Sequence, residues 1–160
     1  MSKYTAKIAW KRQPEEVFTD NKYSRGHIWE FDGGAVVAAS SAPSIVPLPY
    51  SVEANVDPEE AFIASLSSCH MLFFLSFAGK YRLVVDQYID NAFGVLDKDS
   101  DGKLAMTNVT LRPQVTFGVD KQPTLKELEK MHHQAHEHCF IANSVKTEVV
   151  IEIVLWYLAF

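Results

Sequence analysis

Residues 57–79 read DPEEAFIASLSSCHMLFFLSFAG, a long apolar stretch that opens with three acidic residues. Asp57 is a good N-cap, Pro58 suits the first helical position, and Glu60 stands where a capping box needs it. The pattern therefore predicts one helix over residues 57–79, with Gly79 as its C-terminal stop.

This helix raises the question of a membrane span, because residues 61–79 contain no Lys, Arg, Asp or Glu. Four serines and a central His70 argue against that interpretation, since polar groups are costly in lipid. We predict instead the buried centre of a soluble fold. A single domain of this size has difficulty covering such a helix on all sides, so we expect a homodimer and no membrane contact.

The composition is that of a folded domain. Of the 160 residues, 48% are hydrophobic and 22% are charged, which excludes a disordered chain, a collagen and a disulfide scaffold. The net charge of −5, without a Lys/Arg cluster, argues against a nucleic-acid partner. The N-terminus lacks the apolar core of a signal peptide, so we expect a cytoplasmic protein. Its two cysteines, Cys69 and Cys139, are then either a working thiol pair or two unrelated buried thiols.

The remaining pattern predicts an α+β fold with mainly antiparallel strands, in one domain over residues 1–160. A hairpin turn is expected at Asp32-Gly33-Gly34. A capping box of Thr124 and Glu127 opens a second helix. The predicted elements are N-terminal strands within 1–50, the central helix, strands within 83–118, the second helix over 124–138 and a C-terminal strand over 146–158.

Two motifs have some of the features of a metal site. The loop at 97–102 resembles half of a calcium loop, but Asn108 stands where that loop needs a glutamate, so we predict a solvated hairpin. The second helix carries His132, His133, His136 and His138, of which the first and third have the i, i+4 spacing of metal ligands. No carboxylate or second cysteine is placed to complete that site, so we predict no metal and leave open whether the cluster is simply an exposed His-rich face.

Cys69 lies in the middle of the apolar helix, where burial alone would raise its pKa and make it inert. A reactive Cys69 needs a cation or hydrogen-bond donors from elsewhere in the chain. Arg25, in a polar stretch, and Glu59, in the first turn of the same helix, are the candidates. Each has a simpler interpretation: Arg25 as an exposed charge, and Glu59 as a carboxylate favoured by the helix dipole.

Several segments together resemble the OsmC/Ohr family. DPEEAF at 57–62 and ASLSSCH at 64–70 are similar to its Pro-Glu…Cys helix. AHEHCFIANS at 135–144 is similar to its second-cysteine motif, and SRG at 24–26 with DGG at 32–34 resembles its N-terminal Arg strand and hairpin. The match spans residues 20–155 in the family's order.

The resemblance implies a thiol peroxidase that reduces organic hydroperoxides. It implies an OsmC-like fold, with antiparallel sheet wrapped around long central helices in an intertwined homodimer. Cys69 would be the peroxidatic cysteine and Cys139 the resolving one, while Arg25 and Glu59 would hold and activate the Cys69 thiolate. No bound cofactor is expected, and an external dithiol of lipoyl or thioredoxin type would regenerate the enzyme.

This sequence departs from the hydroperoxide-resistance branch of the family at two points. Tyr-Ser precedes Arg25 where that branch has Gly-Gly, and Phe140 follows Cys139 where it has Pro. The alternative function is therefore a non-catalytic dimer that binds a small hydrophobic ligand or a metal at the subunit interface.

The positions of Glu59 and Cys69 give a geometric constraint. Ten residues separate them on one helix, which corresponds to about 15 Å along its axis. If both serve one site, either the helix is kinked between them or Glu59 comes from the partner subunit. We predict the second arrangement, because antiparallel helices in a dimer would bring each Glu59 nearer the other chain's Cys69.

Overall fold

The computed structural model describes residues 1–155. The chain divides into two compact units, Met1–Ala61 and Phe62–Phe160. The four residues of the predicted catalytic site fall in different units. Arg25 and Glu59 belong to the first unit, and Cys69 and Cys139 belong to the second.

The first unit contains a three-stranded antiparallel sheet and a single 3-10 turn among the residues described. Its strands, in the order β1-β2-β3, are β1 (Ala6–Ala9), β2 (His27–Phe31) and β3 (Val36–Ala39). Gly34 takes a φ of 87° between β2 and β3, a conformation that glycine adopts without steric cost. The predicted hairpin turn at 32–34 is confirmed.

The central helix α1 (Pro58–Lys80) begins as predicted but ends differently. The Glu60 amide donates to Asp57 Oδ1 at 2.7 Å and the Asp57 amide donates to Glu60 Oε2 at 3.2 Å, so the capping box is confirmed. Gly79 is not the stop, because the helix runs through it. The left-handed residue is Arg82, at φ 55°, and the Leu83 amide donates to the Ala78 carbonyl, as in a Schellman motif.

The strands of the second unit form two sheets. One sheet pairs β4 (Val85–Asp90) with β7 (Pro113–Phe117) in antiparallel fashion. The other has the order β5-β6-β8, from β5 (Phe93–Lys98), β6 (Leu104–Leu111) and β8 (Glu148–Ile151). The β5–β6 pair is antiparallel and joined by the predicted hairpin, whereas β6 and β8 are parallel.

The region predicted as strands, 83–118, therefore changes sheet twice. Asp90 holds the crossover, since its carboxylate accepts hydrogen bonds from Ser67 Oγ and from the Arg112 amide. The C-terminal strand predicted over 146–158 is shorter, because β8 ends at Ile151 and the described residues beyond it, to 155, are not strand. Residues 156–158 of that prediction lie outside the described residues.

Helix α2 (Leu125–His138) follows the prediction, with both hydrogen bonds of the Thr124–Glu127 capping box present. Its apolar face packs with α1 in one core cluster, formed by Phe74, Phe77, Ala78, Leu83, Leu128, Met131 and Ala135. A second cluster joins Leu66 of α1 to Val109 and Leu111 of β6. Helix α1 is thus buried on two sides by the second unit.

By length and composition, α1 is the one helix among residues 1–155 that is apolar enough to cross a membrane, with a mean hydropathy of 1.7 over 18 residues. The same test is passed by core helices of soluble proteins. Only 22% of that window is buried in the part of the chain that the structure describes, and the buried apolar residues of α1 belong to the two core clusters of the second unit.

Candidate functional site

The structure brings the two cysteines together in the second unit. Cys69, on α1, is half-buried, while Cys139 is the C-cap residue of α2 and only 1% exposed. Both are free thiols, and they are neighbours, because Cys69 is one of the groups that raise the pKa of Cys139. The Ala142 amide also donates to Cys139 Sγ at 3.4 Å.

Cys139 is a poor nucleophile in the reduced protein. Burial, and then the hydrogen bond with Cys69, raises its pKa to about 11, so it keeps its proton at neutral pH. Since the thiolate is the nucleophile, a protonated and buried Cys139 is suited to act second, on a sulfur already in contact with it.

Arg25 and Glu59 line one cavity of about 520 Å³ within the first unit. The Arg25 guanidinium donates to the Asn21 carbonyl at 3.0 Å and to Asn21 Oδ1 at 2.7 Å, and it lies 3.7 Å from the centre of the Tyr23 ring. No ion pair between Arg25 and Glu59 occurs in this part of the chain. The structure places the two residues on the same cavity, but it does not join them.

Three aromatic residues that the sequence reasoning missed form another wall of this cavity. Trp10, Phe18 and Tyr23 contact one another, with ring centroids 4.6 to 6.0 Å apart. Their signal in the sequence is weak, because they are spread over a loop between β1 and β2 rather than arranged with a regular period. The cavity is therefore apolar apart from a few polar groups, as ligand cavities usually are.

His27, also on the cavity, is held in one tautomer. The Trp29 indole N–H donates to His27 Nε2 at 2.9 Å, so that nitrogen must be an acceptor and the proton resides on Nδ1. His27 Nδ1 then donates to the Arg25 carbonyl oxygen at 2.7 Å. A line of two hydrogen bonds thus runs from Trp29 to the backbone of Arg25.

The histidine cluster of α2 is not one group. His133 is exposed and pairs with Glu137 at 3.3 Å, and His138 is exposed and bonded to the Gln134 carbonyl at 2.9 Å. His132 is buried and bonded to His70 of α1, so the interpretation as an exposed face is wrong for this residue. No group of three or more His, Cys, Asp or Glu within residues 1–155 has the arrangement of a metal site.

Comparison with known proteins identifies the fold. The family model for OsmC-like proteins matches residues 52–154. An OsmC-like protein of unknown function from Vibrio cholerae is 63% identical, with a TM-score of 0.95 over 96% of this chain and 100% of that one. No curated protein sequence matches the chain.

Two more distant structures share the fold. The organic hydroperoxide resistance protein OsmC of Legionella pneumophila is 15% identical with a TM-score of 0.68, over 97% of each chain. The organic hydroperoxide resistance protein OhrB of Bacillus subtilis is 19% identical with a TM-score of 0.61, over 95% of this chain and 98% of that one. From the family match and the close Vibrio relative together, the chain belongs to the OsmC family.

Proposed function

We propose that the protein is a cysteine-based peroxidase that reduces organic hydroperoxides through Cys69 and Cys139. The observation that carries this proposal is that two free thiols, one on α1 and one at the end of α2, are neighbours. Two thiols so close need only a small movement to form a disulfide. The names of the Legionella and Bacillus proteins, both organic hydroperoxide resistance proteins of the same fold, support the same activity.

The reaction proceeds in three balanced steps. The Cys69 thiolate attacks the terminal oxygen of ROOH, the O–O bond breaks, and a proton completes the alcohol ROH, which leaves Cys69 as a sulfenic acid. The Cys139 thiol then attacks the Cys69 sulfur, its proton joins the departing hydroxide as water, and the Cys69–Cys139 disulfide forms. An external dithiol, of lipoyl or thioredoxin type, reduces that disulfide by exchange and becomes a disulfide itself.

The proposal assigns Arg25 and Glu59 to activation of Cys69, with Glu59 from the partner subunit of a homodimer. Helix α1 is unbroken from Pro58 to Lys80, so ten residues still separate Glu59 from Cys69, or about 15 Å of helix. The side of α1 that carries Ala64, Ser68 and Leu72 is exposed in the single chain, and Leu72 is 60% exposed. A second copy covering this side would bury that apolar surface.

In this proposal the Arg25 guanidinium gives up some of its hydrogen bonds to Asn21. An Arg25 side chain facing a Cys69 thiolate would stabilise the negative charge, and Glu59 would hold the guanidinium fork in place. The apolar wall of Trp10, Phe18 and Tyr23 suits an organic peroxide better than hydrogen peroxide. A catalytic thiol pair must be kept reduced between turnovers, so the proposal includes a cytoplasmic location.

Steady-state turnover tests the proposal. Reduced protein receives an organic hydroperoxide or hydrogen peroxide, with dihydrolipoamide or a thioredoxin system as reductant, and peroxide loss is followed. We expect turnover with the organic substrate, none for Cys69→Ser, and accumulation of sulfenic or overoxidised Cys69 for Cys139→Ser. Equal rates for wild type and Cys69→Ser would contradict the assignment.

The second candidate function is binding without catalysis, which the 520 Å³ aromatic cavity favours. Isothermal titration of the Cys69→Ser protein with apolar ligands distinguishes the two. Tight binding in a wild-type protein that leaves hydroperoxide intact would support the binding function. Hydroperoxide turnover by the wild type would support the peroxidase function, whichever ligands the Cys69→Ser variant binds.

A further inference from the structure

A pair of buried histidines connects the two helices that carry the cysteines. His70 Nε2 of α1 and His132 Nδ1 of α2 are 3.0 Å apart, and the two rings are coplanar to within 3°. The side chains are 1% and 2% exposed, and Phe74 stacks on His132 with 4.2 Å between ring centroids. This is a hydrogen bond of good geometry inside the apolar core.

Each histidine depends on the other for its hydrogen bonding. Within residues 1–155, the outer nitrogens, His70 Nδ1 and His132 Nε2, have no partner. Burial lowers the pKa of His70 to about 4 and that of His132 to about 3, so both rings are neutral near pH 7. Two neutral imidazoles share a single proton between the inner nitrogens, one donating and the other accepting.

The hydrogen bond between His70 and His132 joins the two helices close to the positions of the thiols. His70 directly follows Cys69 on α1, and Cys139 follows His132 by seven residues, or about two turns of α2. Apolar packing in the core cluster that contains Phe74, Met131 and Ala135 is not directional and tolerates sliding. The hydrogen bond is directional, so it fixes the position of α2 along the axis of α1, which is the helix register.

We propose that His70 and His132 are positioning residues for disulfide formation, whose hydrogen bond sets the helix register that keeps Cys139 in contact with Cys69. The inference rests on the proposed function for its role in the cell. It concerns the second step, in which Cys139 displaces hydroxide from the Cys69 sulfenic acid and water and the disulfide are formed. It does not concern the first step, in which Cys139 takes no part.

The register matters because the sulfenic acid has two fates. Cys139 converts it to a disulfide, whereas a second molecule of hydroperoxide oxidises it to the sulfinic acid and is itself reduced to the alcohol. A displacement of about 1 Å can cost roughly 100-fold in such an intramolecular step. Loss of register therefore moves the outcome from the disulfide towards the sulfinic acid.

The test compares variants that keep the hydrogen bond with variants that remove it. His70→Gln and His132→Asn place an amide near the bonded nitrogen of each ring, whereas the double variant His70→Leu/His132→Phe removes both partners together. Removing both rings leaves neither inner nitrogen without its partner, so the double variant is expected to fold. His133→Ala, an exposed position on the same helix, is the matched control.

Two measurements are made on each folded variant. The first equilibrates the protein with reduced and oxidised dithiothreitol and quantifies the Cys69–Cys139 disulfide by alkylation and mass spectrometry. The second treats reduced protein with excess organic hydroperoxide and measures the ratio of disulfide to sulfinic acid. We expect the double variant to lose at least about tenfold in the disulfide equilibrium constant and to shift towards sulfinic acid. The amide variants and His133→Ala should stay close to wild type.

A folded double variant with the wild-type equilibrium constant and product ratio would overturn the proposal. If the double variant does not fold, His132→Asn against His132→Leu makes the same comparison, and equal values would likewise overturn it. The dithiothreitol measurement needs no peroxidase activity. A protein that forms the disulfide normally but consumes no hydroperoxide would refute the proposed function and leave the positioning role intact.

Discussion

The thiol of Cys69 on α1 is a neighbour of the thiol of Cys139 at the end of α2, although 70 residues separate them in the chain. Each thiol has a different environment. Cys69 is half-buried, and Cys139 is enclosed by the core and by the turn that contains Ala142. This asymmetry supports the proposal that the two cysteines have different chemical tasks.

The asymmetry predicts a difference in alkylation rate. With the pKa of Cys139 raised to about 11 by burial and by Cys69, iodoacetamide at pH 8 should modify Cys69 first. Peptide mass spectrometry over time measures both rates. The Cys69→Ser variant, in which one cause of the raised pKa is removed, serves as control and should show faster modification of Cys139. Preferential labelling of Cys139 in the wild type would contradict the assignment.

The proposed active site, shared between two subunits, predicts complementation between inactive variants. Cys69→Ser and Glu59→Gln chains, co-expressed with different tags and purified as the mixed dimer, should regain about half the wild-type activity per dimer. One site then combines the intact Cys69 of one chain with the intact Glu59 of the other.

The matched control is the mixed dimer of Cys69→Ser with Cys139→Ser. Because the two cysteines come from one chain, no site in that dimer is complete and it should stay inactive. An inactive Cys69→Ser/Glu59→Gln dimer would place the action of Glu59 within its own chain.

The buried histidines predict a stability that falls in mild acid. Their pKa is about 4 and about 3 in the folded chain against 6.5 for an ordinary histidine, so between pH 6.5 and 4 the unfolded chain binds more protons. The free energy of unfolding is therefore highest above pH 6.5 and decreases as the pH falls. The decrease is about 1.4 kcal/mol per pH unit for each histidine that takes up a proton on unfolding. Urea unfolding across this range measures the slope. His70→Leu/His132→Phe should flatten it, and an unchanged slope in that variant would exclude the pair as its source.

The end of α1 predicts a stabilising substitution. Arg82 occupies the left-handed conformation at φ 55°, which costs roughly 1 kcal/mol for a residue with a Cβ and almost nothing for glycine. Arg82→Gly should therefore raise the thermal unfolding midpoint, while Arg82→Ala, which keeps the Cβ, should not. A lower midpoint for Arg82→Gly would show that the long side chain contributes more than the strain costs.

Local signals in the sequence predicted the helices and the hairpin. The capping boxes at Asp57–Glu60 and Thr124–Glu127 and the turn at Gly34 depend on residues within a few positions of one another. The end of α1 was predicted at the wrong residue. It is set by Leu83 turning into the core, and the glycine four positions earlier does not interrupt the helix.

Features that depend on distant contacts could not be predicted in the same way. The strand crossovers at Asp90 and the parallel pairing of β6 with β8 join segments 20 to 40 residues apart. The partner of His70 lies 62 residues away. A histidine inside an apolar helix does indicate that some partner exists, because buried polar groups are nearly always bonded, but it does not say which.

A single-turnover experiment tests the peroxidase proposal most directly. Fully reduced protein is mixed with one equivalent of an organic hydroperoxide without reductant, and free thiols, intact mass and the product alcohol are measured. The proposal predicts one equivalent of alcohol, the loss of both thiols, and a chain lighter by two hydrogen atoms through a disulfide between Cys69 and Cys139. Hydroperoxide left intact, with both thiols still free, would contradict it.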